Sequence, residues 1–183
     1  MTTPTLRSYP KGRMPNPLPP KQRALLRVSQ ATREQHDQWG EGAHLRGVLR
    51  VDLETARAAA AADRIQLAAR FLSAARASYA VGRYRDAVSR GYYAAYHALR
   101  AAAFSDTGGD DYQQHSDLPK QLPEGLPDVA LTKNALTAAR LARNKADYEP
   151  YPKSEAAWKA DADTTIAFGK SALADARRYL SND

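Results

Sequence analysis

The stretch ETARAAAAADRIQLAARFLSAARASYAVGRYRDAVSRGYYAAYHALRAAAF, residues 54–104, holds 19 alanines, only two glycines (Gly82 and Gly91) and no proline. Alanine is the best helix former because it loses no side-chain entropy in a helix, so this composition reads as helix and not strand. Ile65, Ala68, Leu72, Ala75 and Tyr79 recur at three and four residues and mark one apolar face. Asp52, just ahead of Leu53, is a good N-cap, since its carboxylate can accept a free N–H of the first turn. Gly82 is placed to act as a left-handed C-cap. Two helices are therefore predicted, one ending at Gly82 and the next spanning about 83–104. So short a link requires antiparallel neighbours.

Outward from this hairpin, residues 105–127, SDTGGDDYQQHSDLPKQLPEGLP, carry three prolines and three glycines. They are read as a long loop with one short helical turn. A third helix is expected over 128–147, stopped by Pro150, Tyr151 and Pro152. Ser154 is expected to cap a fourth helix through about residue 180, with Trp158, Thr165, Phe168, Ala172, Ala176 and Tyr179 facing inward. Upstream, six of the eleven prolines fall in residues 1–20. Each fixes φ and removes a donor, so this segment is read as a disordered, basic, proline-rich tail. Residues 21–51 are read as a partly helical extension. A short helix within 21–39 would use Leu25, Leu26 and Val28 before Gly40, Gly42 and Gly47 break the pattern. Residues 52–183 form the main domain. The expected class is all-α, an antiparallel four- to five-helix up-and-down bundle with an irregular N-terminal extension.

The chain's 183 residues suit one domain with an appendage. The absence of cysteine excludes disulfides, thiolate catalysis and cysteine-ligated zinc. No apolar run resembles a signal-peptide core or a membrane span, so a cytoplasmic protein with no membrane partner is expected. Residues 1–50 hold 9 Lys/Arg against 3 Asp/Glu, a balance of +6, whereas residues 51–183 hold 18 against 17. The basicity is concentrated in the N-terminal part, which reads either as a leader that binds RNA, DNA or an acidic protein, or as a solvated leader. His36 and His44 lack a third nitrogen ligand, and DTGGDD at 106–111 is too short for a calcium loop and reads as a solvated turn. No metal and no cofactor are expected.

Two segments, RYRDAVSRGYYAAYHALRAA at 83–102 and LARNKADYEP at 141–150, together resemble the HEPN superfamily. The branch in question carries an Arg, a Tyr-Tyr pair and a His on its second helix, and Arg-Asn-Lys-Ala-Asp-Tyr at the end of a later one. HSDLPK at 115–120 resembles the same branch's loop, and the likeness covers about residues 60–180. GRYRDAVSRGYYAAYHAL also resembles half of a tetratricopeptide repeat, but a second copy should begin near residue 116, where the proline-broken loop lies. That alternative is rejected.

Helical geometry places Arg90, Tyr93 and His97 at i, i+3 and i+7, on one stripe, with Asp86 four residues before Arg90 and able to pair with it. The stripe either packs between helices or serves a ligand. The HEPN resemblance implies metal-independent RNA cleavage by an Arg followed by four to six residues and a His, at a cleft between two protomers. The chemistry is in-line attack of a 2′-hydroxyl on its own phosphodiester, with His moving protons and Arg stabilising the phosphate. Arg143 and Asn144 match the start of this motif, and Tyr148 occupies the His position. An unperturbed tyrosine titrates near 10 and is a poor base at neutral pH. His97, or else His115, would have to supply the imidazole. The catalytic candidates are thus Arg143, His97 and Tyr148, and the RNA- or nucleotide-positioning candidates are Arg90, Tyr93, Asn144 and His115. The resemblance further implies a homodimeric toxin or defence effector with RNA or nucleotide as ligand. Its partner would be an antitoxin or a nucleotidyltransferase, which could modify Tyr148 or Tyr151. The alternative is a non-catalytic HEPN-fold module that binds nucleotide, RNA or protein.

Overall fold

The computed structural model describes residues 18–39, 52–112 and 114–182. Among the described residues six helices carry the fold: α1 (Pro20–Gln30), α2 (Arg33–Trp39), α3 (Leu53–Ala80), α4 (Tyr84–Thr107), α5 (Val129–Tyr148) and α6 (Lys159–Asn182). Short 3-10 turns occur at Leu118–Gln121 and Glu155–Trp158, and no strand occurs among the described residues. The all-α bundle is as expected. The first 17 residues of the proposed tail, and His44 with the glycines at 40, 42 and 47, lie outside the described residues.

Local chemistry accounts for most helix ends. Asp52 accepts from the Thr55 N–H at 2.8 Å and caps α3. After α3, Gly82 adopts φ +75° and its N–H bonds to the Tyr79 carbonyl. A residue with a Cβ would be strained in that left-handed conformation. α4 runs three residues past the expected end and is closed by Gly108 at φ +72°. Ser154 makes no side-chain cap; it precedes the 3-10 turn that leads into α6. The expected single short helix near the N-terminus is two helices, interrupted at Ala31.

α4 is the axis of the bundle. Its buried residues, among them Ala87, Val88, Tyr92, Ala95, Leu99 and Ala102, point to more than one side, because α3, α5 and α6 all pack on it. Small side chains permit this close approach. At the α4–α6 crossing Gly91 faces Thr165 and Gly169 so closely that a Cβ at Gly91 would lie 2.9 Å from the Thr165 carbonyl carbon. Inward residues of α6 include Thr165, Ala172 and Ala176, with Trp158 buried just before it; Phe168 and Tyr179 are half-buried. α1 lies on α3, burying Ala24 and Val28 against Leu53, Ala56, Ala60 and Phe104.

The acidic run 106–111 departs from the reading as a solvated turn. Asp110 is completely buried and ion-paired with both Arg64 of α3 and Arg100 of α4. Its N–H also donates to the Ala31 carbonyl at 2.8 Å, which fastens the α1–α2 junction to the end of α4. Two guanidiniums supply the partners without which a buried carboxylate would be too costly. His36 is likewise structural: it is buried, its ring nitrogens lie against the carbonyls of Val28 and Gly108, and no group of metal-ligating residues exists among the described residues.

Candidate functional site

The last turns of α5 bring Arg143 against the middle of α4. Its guanidinium donates to the Tyr93 hydroxyl and, at 3.0 Å, to Asn144 Oδ1. Its Nε lies 2.7 Å from Asp147 Oδ2, an ion pair by distance although the N–H is not aimed along the contact. The guanidinium carbon sits 5.1 Å from the Tyr93 ring centroid and 5.6 Å from that of Tyr148, within cation–π range. Burial opposes the charge of Arg143, but Tyr93 and Asp147 more than offset it and hold the group above the ordinary arginine value.

One turn earlier on the same face, Arg140 is half-buried and its Nε has no hydrogen-bond partner. Two guanidiniums one turn apart concentrate positive charge on this face of α5. Both charges act on the loop residue His115, which lies in a nest of α4 tyrosines. The His115 ring stacks on Tyr96 at 4.2 Å between centroids and meets Tyr93 edge-on at 5.9 Å. The Tyr92 hydroxyl and His115 Nδ1 share a hydrogen bond at 2.7 Å. Burial first, then Arg143, Arg100 and Arg140, pull His115 below its ordinary value. Burial likewise raises Tyr92, so its phenol stays protonated.

The stripe Arg90, Tyr93, His97 is continuous, and Phe71 of α3 is what it meets. The Arg90 guanidinium carbon is 5.7 Å from the Phe71 centroid, Tyr93 stacks on it at 5.3 Å and His97 at 5.2 Å. The expected Asp86–Arg90 ion pair is absent; the aromatic face of Phe71 holds Arg90 instead. His97 is pushed down to about 4 by burial and then by Arg100, Arg64 and His115. Arg143 is not among the groups that act on it. Tyr93 therefore touches both sides: Arg143 and His115 on one, His97 and Phe71 on the other.

Tyr148, at the motif's His position, is 74% exposed, and Tyr151 is 65% exposed. The structure thus brings together Arg143, Asn144, Tyr93, Tyr148 and His115, and sets Arg90 and His97 toward α3. Arg140, Tyr92 and Tyr96 belong to the same cluster and were not anticipated. Their signal is spacing alone: Arg140 precedes Arg143 by three residues, and Tyr92 and Tyr96 are four apart on one helix face.

A helical bundle whose central helix presents tyrosines to arginines at the end of a later helix defines the class of protein. The model of the HEPN domain matches residues 61–179, and the chain belongs to that family. No curated protein and no solved structure matches the chain. No helix among the described residues is long and apolar enough to cross a membrane.

Proposed function

We propose that this HEPN protein targets RNA and that the α4–α5 cluster is its phosphate-binding site. The observation that carries the reading is the pair Arg140 and Arg143, one helical turn apart on the face of α5 that meets the α4 tyrosines, with exposed Tyr148 beside Arg143. Phosphate oxygens would accept charge-assisted bonds from the two guanidiniums. Exposed Tyr148, already stacked by Arg143, offers a face to an unpaired base, the usual means of holding single-stranded RNA. Tyr93 and Asn144 hold Arg143 in position. Binding of a labelled single-stranded oligoribonucleotide, followed by anisotropy, tests this. Arg140→Ala and Arg143→Ala each weaken binding about tenfold, the order expected for loss of one buried charge-assisted contact, while Arg177→Ala on exposed α6 does not. Equal affinity for all four proteins would refute the reading.

A second reading, metal-independent RNA cleavage, is supported by one observation: His115 is held below its ordinary value close to Arg143, so at neutral pH it is an unprotonated imidazole. In that reaction the 2′-hydroxyl attacks the adjacent phosphorus and its proton passes to the imidazole. The bond to the 5′-oxygen breaks, and that oxygen takes up a proton, leaving a 2′,3′-cyclic phosphate and a free 5′-hydroxyl. Arg143 would stabilise the phosphorane charge. His115 is preferred to His97 for this role because the charge of Arg143 is felt at His115. Incubation with mixed RNA in EDTA should give cyclic-phosphate ends in wild type and none in His115→Ala or Arg143→Ala. Intact RNA in every case would leave the binding module. The biological role proposed with either reading is that of a homodimeric toxin or defence effector. Exposure of Tyr148 and Tyr151 leaves both hydroxyl-bearing rings open to a nucleotidyltransferase partner.

A further inference from the structure

α3 and α5 both pack on α4, and neither packs closely on the other. The strip of α4 between them carries Arg90, Tyr93 and His97. On its α3 side lies a groove of about 310 Å³ lined by Leu67, Arg70, Phe71, Ala74 and Arg90. Leu67 and Phe71 supply an apolar floor, and Arg70 and Arg90 are exposed. Among the described residues no acid lines this groove, and no ion pair engages either arginine. The surrounding hairpin is the basic part of the main domain: residues 67–93 hold five arginines against one acid, Asp86, whereas the rest of 51–183 holds 13 Lys/Arg against 16 Asp/Glu. Asp86 stands between Arg83 and Arg90 on one face of α4 and offsets one of them at most. The nearest acid along α3, Asp63, is seven residues from Arg70, about 10 Å of helix and about one Debye length. The groove therefore keeps a net positive charge.

We propose that this groove is a second nucleotide subsite for the same RNA strand, holding a base against Leu67 and Phe71 and a phosphate between Arg70 and Arg90. The inference rests on the α4–α5 cluster being the phosphate-binding site, and it makes the preferred ligand a strand that crosses α4, not a mononucleotide. Tyr93 supplies the continuity. Arg143 donates to its hydroxyl, its ring stacks on Phe71 at 5.3 Å, and the Arg90 guanidinium carbon lies 5.7 Å from the Phe71 centroid. Each step is one ring contact, so a few nucleotides span the two sites. Cations that follow a backbone, with rings that take bases, are the means by which single strands are held. A polyglutamate would meet the charges but not the apolar floor.

Anisotropy of the full chain with 5′-fluorescein oligouridylates of two and twelve nucleotides tests the proposal. Arg70→Ala/Arg90→Ala weakens the dodecamer about tenfold or more, leaves the dimer unchanged, and lowers the dodecamer's salt slope by about 1.4, the value for two phosphates. Arg143→Ala weakens both lengths. Arg177→Ala/Arg178→Ala, which removes the same charge from an exposed part of α6, changes neither. The helical circular dichroism of every variant stays that of wild type. Unchanged dodecamer affinity in Arg70→Ala/Arg90→Ala, with Arg143→Ala still weakened, overturns this proposal and leaves the α4–α5 site standing. Equal losses for the two lengths, an equal loss in the α6 variant, or labelled decaglutamate binding as tightly as the dodecamer also overturn it. Failure of wild type to bind either oligonucleotide overturns both readings.

Discussion

Replacing Gly91 by alanine sets two effects against each other at the α4–α6 crossing. Alanine in a helix interior is favoured over glycine by about 1 kcal/mol. The new Cβ, however, would stand 2.9 Å from the Thr165 carbonyl carbon, 2.9 Å from Thr165 Oγ1 and 3.0 Å from the Thr165 carbonyl oxygen. Ordinary carbon contacts fall at about 3.5–4.0 Å. Two of these atoms are backbone, so no rotamer change relieves them and α6 itself must move. Overpacking costs about 1–3 kcal/mol, and a rigid obstacle belongs at the upper end. The net expectation is destabilisation by about 2 kcal/mol, or a fall in Tm of roughly 4–8 °C for a chain of this size. Urea unfolding followed at 222 nm measures it. Gly169→Ala, whose Cβ would meet the Gly91 carbonyl oxygen at 2.9 Å, should act alike. The double variant should cost less than the two singles together, because one displacement of α6 serves both. Gly82→Ala is the comparison, with nothing within 4 Å and only its left-handed backbone to strain, a cost of about 1 kcal/mol. A Gly91→Ala protein as stable as wild type would refute the close crossing.

Two further outcomes follow from buried charge and one from an exposed ring. Asp110→Asn removes the one carboxylate between Arg64 and Arg100 and should cost about 3–5 kcal/mol in chemical denaturation; a loss below 1 kcal/mol would mean that the arginines find other partners. His97 titrates near 4 in the folded chain, against about 6.5 when unfolded. The unfolded state therefore binds more protons between those values, and stability is lost as pH falls through that window, by about 2–3 kcal/mol. His97→Phe should flatten the stability profile between pH 6.5 and 4, and an unchanged slope would contradict the burial of this imidazole. Tyr148→Ala should lower affinity for single-stranded RNA by roughly 1–3 kcal/mol, a base-stacking loss, with the melting temperature unchanged because the ring is exposed; anisotropy and calorimetry together check both halves.

Much of the fold is legible in local patterns. The alanine-rich run forecasts α3 and α4, Asp52 and Gly82 mark where α3 begins and where its chain turns, and the prolines at 150 and 152 bound α5. What escapes local reading depends on partners distant in sequence. Asp110 looks like one acid in a solvated run until Arg64 and Arg100 meet it. Asp86 and Arg90 have the spacing of an ion pair, but the Phe71 ring competes for the guanidinium and wins. At the site, Arg143, Asn144 and Tyr148 follow from motif resemblance, and the Arg90–Tyr93–His97 stripe follows from helical period. Neither period nor motif says that residues 105–127 fold back to seat His115 on Tyr96, nor that Arg140 is left with an unpartnered nitrogen. Those are consequences of tertiary packing.

The salt dependence of RNA affinity tests the central claim most directly. Each phosphate held by an arginine adds about 0.7 to the slope of log affinity against log salt for a single strand. The double variant Arg140→Ala/Arg143→Ala should therefore have a slope shallower by about 1.4 than wild type, with the remaining slope left to other cations. An identical slope in the two proteins would show that neither arginine holds a phosphate and would contradict the account.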